Sequence, residues 1–176
     1  LGLVKDLYAL ASEDAIDVAR TRTLRMGPLI DRCVRRVDDS PGQERVVVSL
    51  ASELPQLAWA DAEKLVRVLS NLLENALAAS PPSVPVWLCA TEQDGEICIE
   101  VEDRGPGMRP EIAARAFDLY FTTRRAEGGT GIGLSLAREM VEDLGGTLEL
   151  ASEPGHGTRA ILRLPRSKPK GDENGE

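Results

Sequence analysis

The stretch Gly128-Gly-Thr-Gly-Ile-Gly-Leu-Ser-Leu-Ala-Arg-Glu-Met-Val-Glu-Asp-Leu144 carries the pattern on which the rest of the reading turns. A glycine cluster, Gly128, Gly129, Gly131 and Gly133, runs straight into an amphipathic helix predicted over about 131–144. Leu136, Met140, Val141 and Leu144 form its inward side, Arg138, Glu139, Glu142 and Asp143 its outward side, and Gly145-Gly146 ends it. Glycine serves where the backbone takes positive φ or approaches a ligand closely. A helix opening from such a loop gathers free N–H groups and a positive dipole end, which suits a phosphate. No Gly-Lys-Ser/Thr follows, so this is not a Walker A loop, and it lacks the strand context of the dinucleotide fingerprint.

Working outward, Leu3, Leu7, Leu10 and Ala11 recur at helical spacing and predict the end of a helix that began earlier. Thr21 to Met26 predicts a short strand, and Pro28 opens a helix with Leu29, Ile30, Cys33, Val34 and Val37 as its stripe. Asp39-Ser-Pro-Gly42 reads as a turn before the β-branched run Val46 to Val48. Asp61 can cap the longest helix, about Ala62 to Ala79, whose apolar face is Leu65, Val68, Leu69, Leu72, Leu73 and Ala76; Ser80-Pro-Pro82 ends it. Strands follow at Val84 to Ala90 and Glu96 to Glu102, the second with Ile97, Ile99 and Val101 on one face and Glu96, Cys98 and Glu100 on the other. Two last strands, Thr147 to Ala151 and Thr158 to Leu164, flank Pro154-Gly-His-Gly157. This order predicts an α/β (α+β) two-layer sandwich, a mixed β-sheet packed on about three helices. Residues 1–15 are expected to end a preceding helical domain, 16–165 to form one folded domain, and 166–176, which lack apolar residues, to be a disordered tail.

Composition narrows the chemistry. With 176 residues and one histidine, His156, the chain has no site needing two histidine ligands. A net charge of −8 weighs against nucleic acid and anionic membranes as partners. Cys33, Cys89 and Cys98 are odd in number and far apart, which suits a reducing, cytoplasmic setting. No apolar run approaches the roughly 18 residues needed to span a bilayer and no signal peptide is present; because the chain opens at Leu1 in mid-pattern it is expected to be a fragment of a longer parent, whose missing part leaves room for a membrane anchor.

Three further groups could carry chemistry. Asn71, Glu74 and Asn75 share one face of the long helix, because spacings of three and four align on a helix. They read equally as a solvated polar face or as oxygen donors, and carboxamide oxygens are hard ligands suited to Mg²⁺. Asp103 ends a strand just before Arg-Gly-Pro-Gly-Met108; it is what a tight turn uses, and also an acceptor for an exocyclic amine beside which glycines let a flat ring lie. Phe117-Asp-Leu-Tyr-Phe121 holds half of the six aromatics next to Arg124-Arg125: ordinary core-capping rings, or a hinged lid whose cations meet phosphates. Gly155 and Gly157 alone read as a plain turn.

Taken in order, Asn71-Leu-Leu-Glu-Asn75-Ala, Asp103-Arg-Gly-Pro-Gly107, Phe117 to Thr123, Gly129-Thr-Gly-Ile-Gly133-Leu and Gly155-His-Gly-Thr158 resemble the N box, F box and three G boxes of the catalytic ATP-binding domain of bacterial sensor histidine kinases, within the Bergerat-fold ATPases. The resemblance covers about residues 22–165, and five boxes in the right order are specific. It implies a Bergerat ATP-binding fold with ATP and Mg²⁺ as cofactors. Asn75 would be the principal Mg²⁺ ligand, with Asn71 contacting metal or phosphates. Asp103 would hold the adenine amine, with Gly105, Gly107, Met108 and Thr158 around the base. Gly129, Thr130, Gly131, Ile132, Gly133 and Leu134 would wrap the phosphates, under a lid of about 109–130 that includes Tyr120 and Phe121. Arg124 or Arg125 would be the lid cation, and Lys64 and Arg67 would help offset the nucleotide's charge. Glu74 would be the general base, in competition with an acidic group beside the phosphoacceptor histidine. The implied partners are the upstream phosphoacceptor and dimerisation domain, through which the intact kinase is a homodimer, and a response regulator.

Two departures stand out. Ala78 takes a position where many relatives carry a basic residue. The phosphoacceptor histidine of the family lies upstream of Leu1, so His156, in a glycine turn, is not the phosphoacceptor. The rival functions are another ATPase or serine kinase of the same fold, or a nucleotide-sensing module without transfer.

Overall fold

The computed structural model describes residues 22–37, 45–51 and 56–166. The expected helix end within 1–15, the 39–42 turn and the tail beyond Arg166 lie outside the described residues. Strand β1 (Arg22–Arg25) leads into helix α1 (Met26–Val37), then strands β2 (Val46–Leu50) and β3 (Gln56–Ala60), and helix α2 (Ala62–Ala79). Strands β4 (Val86–Gln93) and β5 (Glu96–Glu102), helix α3 (Gly133–Asp143), and strands β6 (Thr147–Glu153) and β7 (Gly157–Pro165) complete the order. Between β5 and α3 the chain forms only a single helical turn, Pro110–Ala113, and a 3₁₀ turn, Arg125–Glu127.

Five strands make a mixed sheet in the order β2-β4-β5-β7-β6. β2 and β4 are parallel, as a crossover through α2 requires, and the other pairs are antiparallel. The tight β4–β5 connection uses Asp94 and Gly95 at φ 53° and 81°, the left-handed pair that matches strand twist. A separate two-stranded ribbon joins β1 to β3. The sequence pattern gave no sign of β3, since Gln56-Leu-Ala-Trp-Ala60 has no β-branched residue; pairing with β1 makes it a strand.

Alternation explains why the sheet has one covered face. Leu88 on β4, Ile99 on β5 and Leu162 on β7 are fully buried against Leu65, Leu69 and Leu73 of α2 and Val141 of α3. Each such aliphatic side chain contributes about 1.5–3 kcal/mol by leaving water, so the core holds without many aromatics. The opposite face carries cross-strand ion pairs, Arg159 with Glu100 and Glu102, and Arg163 with Glu149. Cys98 lies on that outer face, as its alternation predicts, yet it is buried. Burial, together with nearby Glu100, raises its thiol pKa. The stems of long charged neighbours cover what the alternation alone assigns to solvent.

Helix α2 takes the predicted bounds because its caps are local. Asp61 Oδ1 accepts from the N–H groups of Glu63 and Lys64 at 2.8 and 3.2 Å. At the other end Ser80 and Pro81 stop the helix, and the turn continues to Val84, whose N–H bonds Pro81 O; β4 therefore begins at Val86, two residues late. Arg45 donates to the carbonyls of Ser80, Pro81 and Val84, satisfying groups a helix end leaves bare. α1 begins two residues before Pro28, at Met26, which is part of the core.

Candidate functional site

The C-terminal ends of α2 and β5 meet the start of β7, and Asp103 sits at the junction. Its N–H bonds Thr158 O at 2.9 Å, and its Oδ1 accepts from Gly105 N–H at 2.8 Å and Thr158 N–H at 3.2 Å. Asp103 is 5% exposed, and burial raises its carboxyl pKa against the opposing pull of the two N–H groups. Among the described residues its Oδ2 takes no hydrogen bond, leaving an acceptor free.

The glycines around it are sterically required. A Cβ on Gly107 (φ 65°) would collide with the carbonyl of Glu153, and one on Gly157 (φ 81°) would lie 2.0 Å from the carbonyl of Asp103. Gly105 is also tight, since a Cβ there would lie 2.7 Å from Ala79 O. Met108 N–H donates to Ser152 Oγ, which is itself 2.9 Å from both Gly157 O and Thr158 Oγ1. Ser152 thus ties the 103–108 turn to the β6–β7 hairpin. Sequence reasoning missed it, because a lone serine in an alternating strand carries no signal.

Up the exposed face of α2 the two asparagines are linked: Asn75 Nδ2 donates to Asn71 Oδ1 at 2.8 Å. Glu74 is exposed on the same helix. Gly133, the first residue of α3, lies against Asn71, where a Cβ would come within 2.5 Å of its Nδ2. Unlike α2, helix α3 has no side-chain cap at its N-terminus. Ile132 buries its side chain in the core while Leu134 packs at the core's edge, so the glycine loop is anchored from within.

The loop between is closed on itself. Tyr120 N–H bonds Gly131 O at 2.8 Å, and Gly129 N–H bonds Arg124 O at 2.9 Å. Gly128 N–H bonds Arg125 O at 3.2 Å and Ile132 N–H lies 3.5 Å from Thr130 Oγ1, so the N–H groups of Gly128, Gly129 and Ile132 are engaged within the loop. Of the adjacent arginines, Arg124 reaches the helix: its Nη2 donates to Asn75 Oδ1 at 2.8 Å. Arg125 turns away to Tyr120 O at 3.0 Å. Phe121 is covered by the Arg115 guanidinium, 4.3 Å from its ring centre, and Tyr120 is 58% exposed. Lys64 does not join the site; it pairs with Asp143 at 2.8 Å, because α3 runs back along α2 and ends beside the start of that helix.

A five-stranded mixed sheet under three helices, with a glycine loop opening into the third, is the architecture of histidine kinase catalytic domains. A structure of the mycobacterial sensor histidine kinase MprB superposes with a TM-score of 0.71 at 26% identity, covering 82% of this chain and 97% of that one. Full-length ShkA in complex with AMPPNP gives 0.76 at 25% identity, covering 93% and 35%. The chain belongs to the histidine kinase-, DNA gyrase B- and HSP90-like ATPase family, whose family model matches residues 60–168. The alginate biosynthesis sensor protein KinB of Pseudomonas aeruginosa is 35% identical over 156 residues, 89% of this chain and 24% of KinB. The histidine-protein kinase/phosphatase MprB of Mycolicibacterium vanbaalenii is 34% identical over 182 residues, 99% of this chain and 37% of MprB. The chain thus spans between about a fifth and just over a third of the curated relatives it matches. Among the described residues no helix is long and apolar enough to cross a membrane.

Proposed function

We propose that this chain is the ATP-binding catalytic part of a sensor histidine kinase, passing the γ-phosphoryl of ATP to a histidine on a preceding phosphoacceptor segment. The observation that carries the reading is the order of groups along α2. Asp103 and Gly105 lie against its last turn, and Asn75 and Asn71 follow four and eight residues up from Ala79, about 6 and 12 Å along the axis. The uncapped start of α3 and the Arg124 guanidinium flank the asparagines. That order matches a nucleotide laid along the helix, base to phosphates.

In this reading Asp103 Oδ2 accepts from the adenine amine, and Gly107, packed on the Glu153 carbonyl, shapes the turn beside which the ring lies with Met108 and Thr158. The first turn of α3 faces the phosphates with its N–H groups, and the loop 129–132 closes around them. Asn75 and Asn71 suit Mg²⁺: two neutral, hard oxygens on a half-exposed face leave room for the waters that this ion keeps. Bound there, Mg²⁺ would neutralise phosphate charge. Arg124 adds positive charge where the transferring phosphoryl group gains electron density, the main demand of this chemistry. The acceptor histidine nitrogen bonds to the γ-phosphorus as the bridging oxygen leaves with ADP, and Glu74 on the open face is the chain's own base for the incoming proton. Residues 1–15 belong with the preceding segment, whose helices make the intact kinase a cytoplasm-facing homodimer that serves a response regulator.

A fluorescent ATP analogue titrated with and without Mg²⁺ tests the site; if Asn75→Ala and Asp103→Ala both bind like wild type, the assignment fails. γ-Labelled ATP supplied to this chain together with the parent's phosphoacceptor segment tests the reaction. Acid-labile, base-stable label on that segment is expected; free phosphate without protein label indicates an ATPase. Stable label on His156 would overturn the account.

A further inference from the structure

The two oxygens assigned to a cation are already accepting hydrogen bonds. Arg124 donates to Asn75 Oδ1, and Asn75 Nδ2 donates to Asn71 Oδ1, both at 2.8 Å. A guanidinium has only donors, so the oxygen of Asn75 must face it, which fixes the carboxamide's orientation. A dication approaching the same oxygen meets a positive charge a few ångströms away, so the two compete for it.

We propose that Arg124 is a positioning residue that occupies the cation's place on Asn75 while nucleotide is absent, and that it frees the 120–131 loop when that oxygen is given to a metal ion. The proposal rests on the reading of Asn75 as metal ligand. The loop is built to move as a body. Besides the bonds from Tyr120 to Gly131 and from Gly129 to Arg124, Arg124 N–H bonds Thr122 Oγ1 at 3.1 Å and Arg125 bonds Tyr120 O at 3.0 Å. Its ends close where Tyr120 and Gly131 both hold left-handed φ, 64° and 73°. Moving Arg124 off Asn75 therefore breaks none of these bonds directly, but it removes the loop's tie to α2 and lets them open more often. The release also reaches α3, because Asn75 holds Asn71 and Asn71 touches Gly133. Arg125, bound to its own loop, cannot take over.

The test uses this chain without nucleotide first. Amide hydrogen exchange over residues 118–131 is compared in wild type, Arg124→Ala and Arg124→Lys, with matched melting curves to establish folding. Loss of one charge-assisted bond on a half-exposed face is expected to speed exchange about fivefold in Arg124→Ala, with Arg124→Lys between. Titration of a trinitrophenyl ATP analogue in Mg²⁺ and in EDTA then gives the factor by which the metal strengthens binding. That factor is expected to rise about fivefold in Arg124→Ala, since Asn75 starts free, even though binding overall weakens. Equal exchange in the nucleotide-free wild type and Arg124→Ala would overturn the proposal, because a residue that only touches phosphate leaves the empty protein unchanged. If Asn75→Ala keeps the full Mg²⁺ factor, the metal reading itself fails, whatever Arg124 does.

Discussion

Asp103→Asn removes a charge and almost no volume from a buried position, and it is expected to move stability and binding in opposite directions. The carboxamide oxygen can keep both backbone bonds that Oδ1 now accepts, from Gly105 and Thr158. The amide nitrogen then replaces Oδ2, so if adenine binds as proposed a donor would face its amine where an acceptor stood. A lost charged hydrogen bond and a newly unpaired donor together cost about 3 kcal/mol, on the order of a hundredfold in Kd. Stability behaves differently. Burial raises the Asp103 pKa, so the folded chain holds that proton more tightly than the unfolded chain does. Its contribution is fully present below the ordinary carboxylate value and is lost as pH rises through the raised value. At neutral pH the ionised group is a burden that Asn relieves, so the melting temperature is expected to be unchanged or up by about 3 °C. The difference between the two proteins should shrink as pH falls and wild-type Asp103 takes its proton. Differential scanning fluorimetry from pH 4 to 8, beside analogue titration, measures both arms. Wild-type affinity in Asp103→Asn, or melting several degrees lower at neutral pH, would refute the reasoning.

Gly157→Ala forces a Cβ to within 2.0 Å of Asp103 O at φ 81°. The left-handed penalty and displaced Asp103–Thr158 bonds should cost about 3 kcal/mol, lowering a circular-dichroism melt by roughly 10 °C. Lys64→Ala breaks only the surface pair with Asp143, worth about 0.5 kcal/mol, so melting shifts within ~2 °C and analogue Kd stays within about twofold. A tenfold weaker Kd would restore Lys64 to the site. Arg45→Ala leaves the carbonyls of Ser80, Pro81 and Val84 without their shared donor and should cost about 2 kcal/mol, read as a lower urea midpoint with an unchanged slope.

What was legible in the sequence was what local chemistry dictates. Asp61 caps α2 because an Asx side chain reaches only the next two or three N–H groups, and the cap lies within a few residues of what it caps. The asparagine spacing survives for the same reason: a helix places residues four apart side by side whatever surrounds it. β3 was not legible, since its strand character comes from β1, more than thirty residues earlier in the chain. Lys64 was misjudged because its neighbour is set by how α3 lies along α2, a tertiary fact no local window contains.

The choice between Arg124 and Arg125 is the sharper case. Two adjacent, chemically identical side chains differ in partner because of the loop's closure, and that closure depends on Gly128 and Gly131 taking φ values of 87° and 73°. Glycine in sequence permits such values without requiring them. The motif therefore announces that a loop will bend here, while the bonds Tyr120–Gly131 and Gly129–Arg124 decide which guanidinium faces the helix. A Gly131→Ala variant, whose Cβ would lie 2.5 Å from the Tyr120 carbonyl carbon, should open that closure and erase the distinction. Neither arginine would then be held on Asn75, and loop exchange in the nucleotide-free protein should rise as far as in Arg124→Ala. Slower exchange than in Arg124→Ala would mean that the Arg124–Asn75 bond, and not the backbone closure, comes first in ordering the loop.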